Sequence, residues 1–358
     1  MREIPVRLTD RPKTLPADVS KSFGDAFSDH MFRMDFDRKR GWHDARIEPF
    51  GPLSLHPSAA VIQYAQTIFD GSKGYRRADG GIQLFRPRAH VERLNRSAAR
   101  MCMPAVDPEM ALEAMLRLTR IDSRWVPHAA GTAIYVRQTM IGTEGLMVVR
   151  PADTYAYTIF LSPVGSYYAQ GAGPVRILAT EARVRAAAQG GIGAAKAGAN
   201  YAASLQAGVE AHEAGFSQVL WLDSVERRYL EEVGTMNIFV KIDGKVITPP
   251  LGDSILAGVT RDSALTLMRD WGLEPEERPV DIHDVMAAGR DGRLEEMWGV
   301  GTAAVVSPVG ELSYRGESIT IDGGRTGPVV RRLFDGITAL QYGTAPDPHG
   351  WTVELPRD

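Results

Sequence analysis

Apolar and polar positions alternate one by one in some runs of this chain and recur every three to four residues in others. The first period predicts strands and the second predicts helices. Ser28-Asp-His-Met-Phe-Arg-Met-Asp-Phe36 alternates as a strand does. From Ala59 to Phe69, the residues Val61, Ile62, Ala65 and Ile68 follow helical spacing, although they also suit a strand that bends. Gly74–Arg77 and Gly81–Phe85 flank the turn residues Ala78-Asp-Gly-Gly81 and read as a hairpin. Pro87 opens a helix to about Met101, with Val91, Leu94 and Ala98 on one stripe. Another helix runs from Pro108 to about Ile121 and carries Met110, Leu112, Met115, Leu116 and Leu118. Two β-rich runs follow, Thr132–Ile141 and Tyr155–Leu161.

Glycines and a proline in Ser166-Tyr-Tyr-Ala-Gln-Gly-Ala-Gly-Pro174 mark an expected interdomain linker. It divides a smaller domain over 1–165 from a larger one over 175–358. Beyond it the pattern predicts strand 175–179, helix 200–214, strands 218–222 and 237–241, and a tight turn at Asp243-Gly244 into 246–248. An amphipathic helix over 260–271 has Gly272 at its C-terminal stop. Helix 282–288, strands within 295–321 and a last helix 328–341 complete the order. Residues 1–20 form a polar, proline-broken arm with little structure of its own, and the tail 343–358 is turn-rich. Strands outnumber helices and mix with them in both halves. The expected fold class is therefore α/β (mixed α+β): two α/β domains with mixed or antiparallel sheets, and no doubly wound parallel sheet.

The chain has 358 residues and is 44% apolar, enough to bury substantial cores. Its 41 basic and 44 acidic residues nearly cancel, which leaves no basic footprint for nucleic acid or an acidic membrane. The one cysteine, Cys102, excludes an intrachain disulfide and suits a reducing cytoplasm. No signal-peptide core or bilayer-length apolar run is visible, and no metal site is expected.

Chemistry concentrates in Gly190-Gly-Ile-Gly-Ala-Ala-Lys-Ala-Gly-Ala-Asn-Tyr201. Lys196 stands there among small residues, just before a helix, so its amine can be desolvated and act as a Schiff-base nucleophile. The glycines do not form a phosphate-binding P-loop, because Ala195 and Ala197 hold the places of its Gly and Ser/Thr. A dinucleotide turn beginning at Gly191 would need glycine where Lys196 stands. By itself the stretch reads equally well as a flexible loop with a solvated lysine. It is followed by Gln218-Val-Leu-Trp-Leu-Asp223 and Glu232-Val-Gly-Thr-Met-Asn237.

These motifs, in this order and at these separations, resemble the branched-chain aminotransferases, pyridoxal-phosphate enzymes of fold type IV. The resemblance extends from about Phe23 to Tyr342. It implies transfer of the amino group of leucine, isoleucine or valine to 2-oxoglutarate, with pyridoxal 5'-phosphate held between two domains of a homodimer. Lys196 would carry the cofactor covalently and shuttle the substrate proton. Glu232 would face the ring nitrogen; its neighbours Glu226 and Glu231 mark an acidic loop whose carboxylates are ordinarily solvated. The Tyr201 hydroxyl would meet the phenolic oxygen.

For the phosphate, the resemblance implies Arg93, the Thr302 side chain and the backbone of Val259 and Thr260. The Val259-Thr260 pair, at the start of a helix, also has the physics of an anion site. Arg93 is chosen over Arg96 and Arg100 by its spacing to Ser97-Ala98, and Arg185 is set aside because the segment before the glycines is longer by one residue than the family match allows. Phe23, Tyr64, Phe69, Tyr135 and Tyr167 match positions that line an apolar substrate pocket. Arg137 matches the arginine that reaches the γ-carboxylate of glutamate, and Thr235 and Ala303 match positions beside the α-carboxylate.

The chain departs from the family pattern at Asp70, Ser72 and Gly74, in a stretch usually Phe-Glu-Gly-(Leu/Met)-Lys-Ala, and at Gln138, where proline is common. Beside the pocket, these departures would affect side-chain preference. Other fold type IV enzymes, namely D-amino-acid or (R)-amine aminotransferases and aminodeoxychorismate lyases, are the nearest rivals. A catalytically inactive binding homologue is a further one, against which the intact Lys196, Tyr201 and Glu232 argue.

Overall fold

The computed structural model describes residues 4–20, 23–165, 173–186 and 190–356. The chain gathers into two compact units. The first comprises Met1–Gly171, Ala195–Ala199 and Ala339–Asp358; the second comprises Ala172–Ala194 and Asn200–Thr338. Most of the expected linker, residues 166–172, lies outside the described residues, and so does Tyr167.

The first unit is built on β1 (His30–Asp37), β2 (Gly41–Pro49), β3 (Thr67–Arg76), β4 (Ile82–Phe85), β5 (Ala133–Gly142), β6 (Thr154–Val164) and a C-terminal strand, Thr352–Glu354. They form one seven-stranded sheet in the order Thr352–Glu354, β4, β3, β5, β6, β1, β2. Every pairing in it is antiparallel. The 74–85 segment is the expected hairpin, with Gly74 opposite Leu84 and Arg76 opposite Ile82.

Residues opposite one another in an antiparallel ladder share a face, and successive residues alternate. Asp70 lies opposite Gln138 and Ser72 opposite Val136, while Gln138 pairs with Ile159 and Met140 with Tyr157. All of these are buried. Helix α2 (Pro87–Arg100) lies over β3, and α3 (Pro108–Ile121) lies over β1 and β6. Phe69, Gly71 and Lys73 of β3, Tyr135 and Arg137 of β5, and Phe160 and Ser162 of β6 occupy the opposite face.

Several expectations change at this level. The helical spacing from Ala59 survives only in a short helix, α1 (Ala60–Tyr64), which stops at Ala65 in the left-handed region (φ 49°). Ile68 belongs to β3. On α3 the buried residues are Ala111, Ala114, Met115 and Leu118, whereas Met110, Leu112 and Leu116 are only half-buried. The small alanines face inward and let the helix lie close to its neighbours. The N-terminal arm is tied down by tertiary bonds: Arg7 N donates to Ile47 O (2.9 Å), and Lys13 N donates to Asp29 Oδ1 (2.8 Å). The turn-rich tail contributes the strand beside β4.

The second unit contains β7 (Val175–Thr180), β8 (Gln218–Leu222), β9 (Leu230–Val233), β10 (Met236–Ile242), β11 (Lys245–Thr248), β12 (Glu276–Glu277), β13 (Leu294–Gly301), β14 (Val305–Tyr314) and β15 (Glu317–Thr320). The path β10, β13, β14, β7, β8, β9 returns to β10, so these strands close into a ring. Pairs β7–β8, β7–β14 and β11–β12 are parallel and the rest antiparallel, the mixed arrangement expected. Phe239 and Trp298, both fully buried, stack at 5.4 Å. The unit contains α5 (Val259–Asp270), α6 (Ile282–Arg290) and most of α4 (Gly198–Glu213) and α7 (Pro328–Gln341). Among the described residues, no helix is long and apolar enough to cross a membrane.

Candidate active site

In the first unit, Lys196 is held by its backbone on two sides. Its N–H donates to Ser97 Oγ of α2 (2.9 Å), and its carbonyl accepts from Phe69 N of β3 (3.0 Å). Ala197 then bridges to Ile68. These bonds exist because β3 extends past β4, leaving an edge for the lysine segment to occupy. Gly198, which starts α4, fits because a Cβ there would come within 2.8 Å of Thr67 Cγ2. The helix brings Tyr201 into its first turn, and Tyr201 is half-buried.

The Lys196 amine lies 4.9 Å from the centre of the Phe69 ring. Burial, reinforced by the positive charge of Arg93, lowers its pKa to about 8, against the opposing pull of Asp70. A desolvated lysine with so reduced a proton affinity is the nucleophile that carbonyl chemistry needs. Lys196 is half-buried, and the bonds from its backbone to Ser97 and Phe69 set aside the flexible-loop reading of this stretch.

Arg93 is buried on α2, whereas Arg96 and Arg100 on the same helix are exposed. Its Nε and Nη2 donate to the two oxygens of Asp70, both at 2.8 Å, and His90 Nδ1 lies 2.8 Å from Asp70 Oδ1. Burial alone would raise the Asp70 pKa, but the Arg93 charge and these hydrogen bonds hold it well below the usual carboxylate range.

The opposite face of the sheet carries three of the residues expected in the pocket, Phe69, Tyr135 and Arg137. Arg137 stacks over the rings of Phe69 (4.6 Å) and Tyr135 (5.1 Å), and Phe23 meets Tyr135 edge-on at 5.5 Å. Tyr135 folds over Gly71, where a Cβ would come within 2.2 Å of its hydroxyl. Lys73 shares this face, and burial lowers its pKa to about 7. Tyr64 stands at the end of its short helix and is 38% exposed. The register also corrects the placing of the family departures. Asp70, Ser72, Gly74 and Gln138 all point to the helix-covered face, because each is an odd number of residues from Phe69 or Arg137.

In the second unit, Glu232 is buried on β9. Its Oε2 lies 2.6 Å from Arg185 Nε, and its Oε1 accepts from Asn237 Nδ2 (3.3 Å) and Leu256 N (3.2 Å). Arg185, set aside in the sequence reading, is thus the cation paired with Glu232. Glu226 is exposed, but Glu231 is buried as well, and burial raises its pKa. Burial therefore does not separate the two adjacent glutamates. Orientation does, since neighbours on a strand face opposite ways.

Asn237 also supports the expected anion site. A Cβ on Gly258, the N-cap of α5, would lie 2.0 Å from Asn237 Oδ1. Gly258 offers no side-chain cap, unlike the aspartates that cap α3 and α6, so the start of α5 has the backbone character of an anion site. Val259 and Thr260 form its buried first turn. Thr235 follows β9, and Thr302 and Ala303 follow β13. Since Asn237 pairs with Val300, the β10–β13 register carries both segments to one end of the sheet. No group of His, Cys, Asp or Glu that could hold a metal ion occurs among the described residues.

In the first unit a half-buried lysine of lowered pKa and a buried arginine suit an aldehyde and a phosphate. In the second unit a buried carboxylate suits a ring nitrogen, and a helix start without a side-chain cap suits an anion. Residues 67–312 match the family model described as "Amino-transferase class IV". The chain belongs to this family. Within it, the chain is 49% identical to "Branched-chain-amino-acid aminotransferase 2" of Bacillus subtilis over 352 residues, covering 98% of this chain and 97% of that one. The solved branched-chain amino acid aminotransferase of Escherichia coli is similar with a TM-score of 0.75 at 28% identity, over 87% of this chain and 97% of that one. The Thermobaculum terrenum enzyme of that name, solved in its PLP-form (holo-form), shares the fold with a TM-score of 0.72 at 23% identity, over 91% of this chain and 98% of that one. The protein is a pyridoxal-phosphate-dependent aminotransferase of fold type IV, and its group is that of the branched-chain-amino-acid enzymes.

Proposed function

We propose that this enzyme exchanges the amino group of leucine, isoleucine or valine with 2-oxoglutarate in two alternating half-reactions through one pocket. When bound, pyridoxal 5'-phosphate supplies the aldehyde that takes up the amino group and a ring that accepts electron density from the substrate Cα. Lys196 Nζ would hold the cofactor and, once the substrate amine has displaced it, would carry the proton between the substrate Cα and the C4′ carbon of the cofactor. Glu232, kept as an anion by Arg185 and the amides around it, favours a proton on the ring nitrogen. The Tyr201 hydroxyl serves the phenolic oxygen. Arg93, Thr302 and the amides of Val259 and Thr260 would hold the phosphate. Phe23, Phe69, Tyr64 and Tyr135 would form apolar wall, and Thr235 and Ala303 would receive the α-carboxylate.

One observation carries the dual substrate: a cation, Arg137, lying over two aromatic rings of the wall. The rings suit an aliphatic chain, and the guanidinium offers the γ-carboxylate of glutamate a charge-assisted partner that a buried carboxylate requires. Pre-steady-state rates for each half-reaction test this. Arg137→Met should weaken the glutamate and 2-oxoglutarate half-reaction by about 2–4 kcal/mol while leucine still reacts. Equal losses with both substrates would reject it.

The reading includes a homodimer working in the cytoplasm. A lone cysteine and nearly balanced charge accord with that compartment, which cell fractionation checks. An exposed apolar strip, Met147–Val149, supports the dimer.

A further inference from the structure

The helix-covered face of the first unit's sheet contains a buried polar cluster that the reaction itself does not use. Asp70 is fully buried. Its Oδ1 receives Arg93 Nη2 (2.8 Å), His90 Nδ1 (2.8 Å) and the backbone N–H of Gly71 (2.7 Å), and its Oδ2 receives Arg93 Nε (2.8 Å). A carboxylate only accepts, so His90 carries its proton on Nδ1. Directly across the ladder, fully buried Gln138 accepts from Tyr157 Oη at 2.6 Å. Asp70 therefore has donors on both oxygens and close packing behind it, which leaves its carboxylate one orientation.

That fixed carboxylate grips Arg93 along a single edge of the guanidinium, the edge formed by Nε and Nη2. The end-on edge, which includes Nη1, is turned away from Asp70 by the planarity of the group and has the fork geometry that a phosphate accepts. A lone buried arginine would instead pivot about its side-chain torsions. We propose that Asp70 and His90 are positioning residues for the phosphate of the cofactor: Asp70 fixes the plane of Arg93, and His90 fixes Asp70. This inference rests on the assignment of Arg93 to the phosphate.

The test is binding to the cofactor-free protein, with pyridoxal 5'-phosphate and pyridoxal as paired probes in equilibrium dialysis. Asp70→Asn should weaken pyridoxal 5'-phosphate by about 10- to 100-fold, the scale seen when a group that orients a ligand-holding side chain is lost. It should leave pyridoxal within about twofold of the parent, since the orienting effect reaches only the phosphate. Asp70→Glu, which restores the charge, should recover part of the loss. His90→Phe, which keeps a buried ring and the ion pair, should show a smaller loss of the same selectivity; it carries the test alone if Asp70→Asn does not fold. Unchanged phosphate selectivity in these variants, or equal losses for both probes, would overturn the proposal. Arg93→Met separates the two layers. If it abolishes selectivity while the Asp70 and His90 variants do not, only the positioning role fails. If Arg93→Met itself keeps selectivity, the phosphate assignment fails and takes the inference with it.

Discussion

Glu231 and Glu232 are adjacent, both buried, and chemically identical, yet only one can serve a ring nitrogen. Glu232 has a cation at 2.6 Å and two amide donors, all of which favour its ionised form. Burial pushes Glu231 the other way, toward its protonated form, against the pull of Ser254 and Arg185. Glu232→Gln should therefore retain the cofactor and lose most of kcat, because a neutral amide no longer favours a protonated ring nitrogen. Glu231→Gln should keep near-parental kcat. Steady-state kinetics of the pair checks this, and the reverse ranking would assign the role to Glu231. The motif context already pointed to Glu232 in the sequence. Its partner Arg185 is set aside in sequence by the length of the segment before the glycines, and spacing along the chain gives no sign of an ion pair closed across the fold. Ser97 entered only as a marker for Arg93, and its hydroxyl turns out to hold the lysine backbone.

Among the elements, α5 depends on a contact that strand and helix make together. Gly258 begins the helix, and Asn237 of β10 fills the space a side chain would occupy. The same Asn237 bonds Glu232 and the Leu256 carbonyl. Gly258→Ala should displace Asn237, at a cost of about 1–3 kcal/mol of stability for overpacking. It should also weaken cofactor binding, since it disturbs the helix start and the Glu232 support together. Gly272→Ala is the control: its φ of 77° strains the chain, but open space surrounds it. That substitution should cost about 1 kcal/mol and leave cofactor binding unchanged. Thermal unfolding with and without pyridoxal 5'-phosphate distinguishes the two variants. Loss of cofactor binding in both would deny α5 its special place.

For the whole molecule, the open question of assembly has a surface to examine. Met147, Val148 and Val149 are 84%, 63% and 82% exposed. They follow a segment that pairs with the short Ala60–Tyr64 helix region through the Ala59–Gly145 bridge, where Ile62 is also exposed. A run this apolar is uncommon on a monomer surface. Analytical ultracentrifugation should find a dimer for the parent chain and a substantial shift to monomer for Val148→Asp. A fully active monomer of the parent at assay concentration would remove the dimer from the proposed function.

Local pattern determined much of this protein. The helices 87–100, 108–121 and 328–341, the 74–85 hairpin and the mixed character of the sheets follow from periodicity, prolines and turn residues close in the chain. Lys196 and Glu232 sit in motifs from which a chemical role is expected. Pairings between distant residues were decided only in three dimensions. The ring closed by β9 and β10, the C-terminal strand beside β4, and the arm tied to Asp29 all depend on bonds between remote segments. Register was decisive for function. A strand's two faces differ by a single residue, so sequence placed Asp70, Ser72 and Gln138 near the pocket. The β3–β5 ladder turned them to the buried side, where Asp70 holds Arg93.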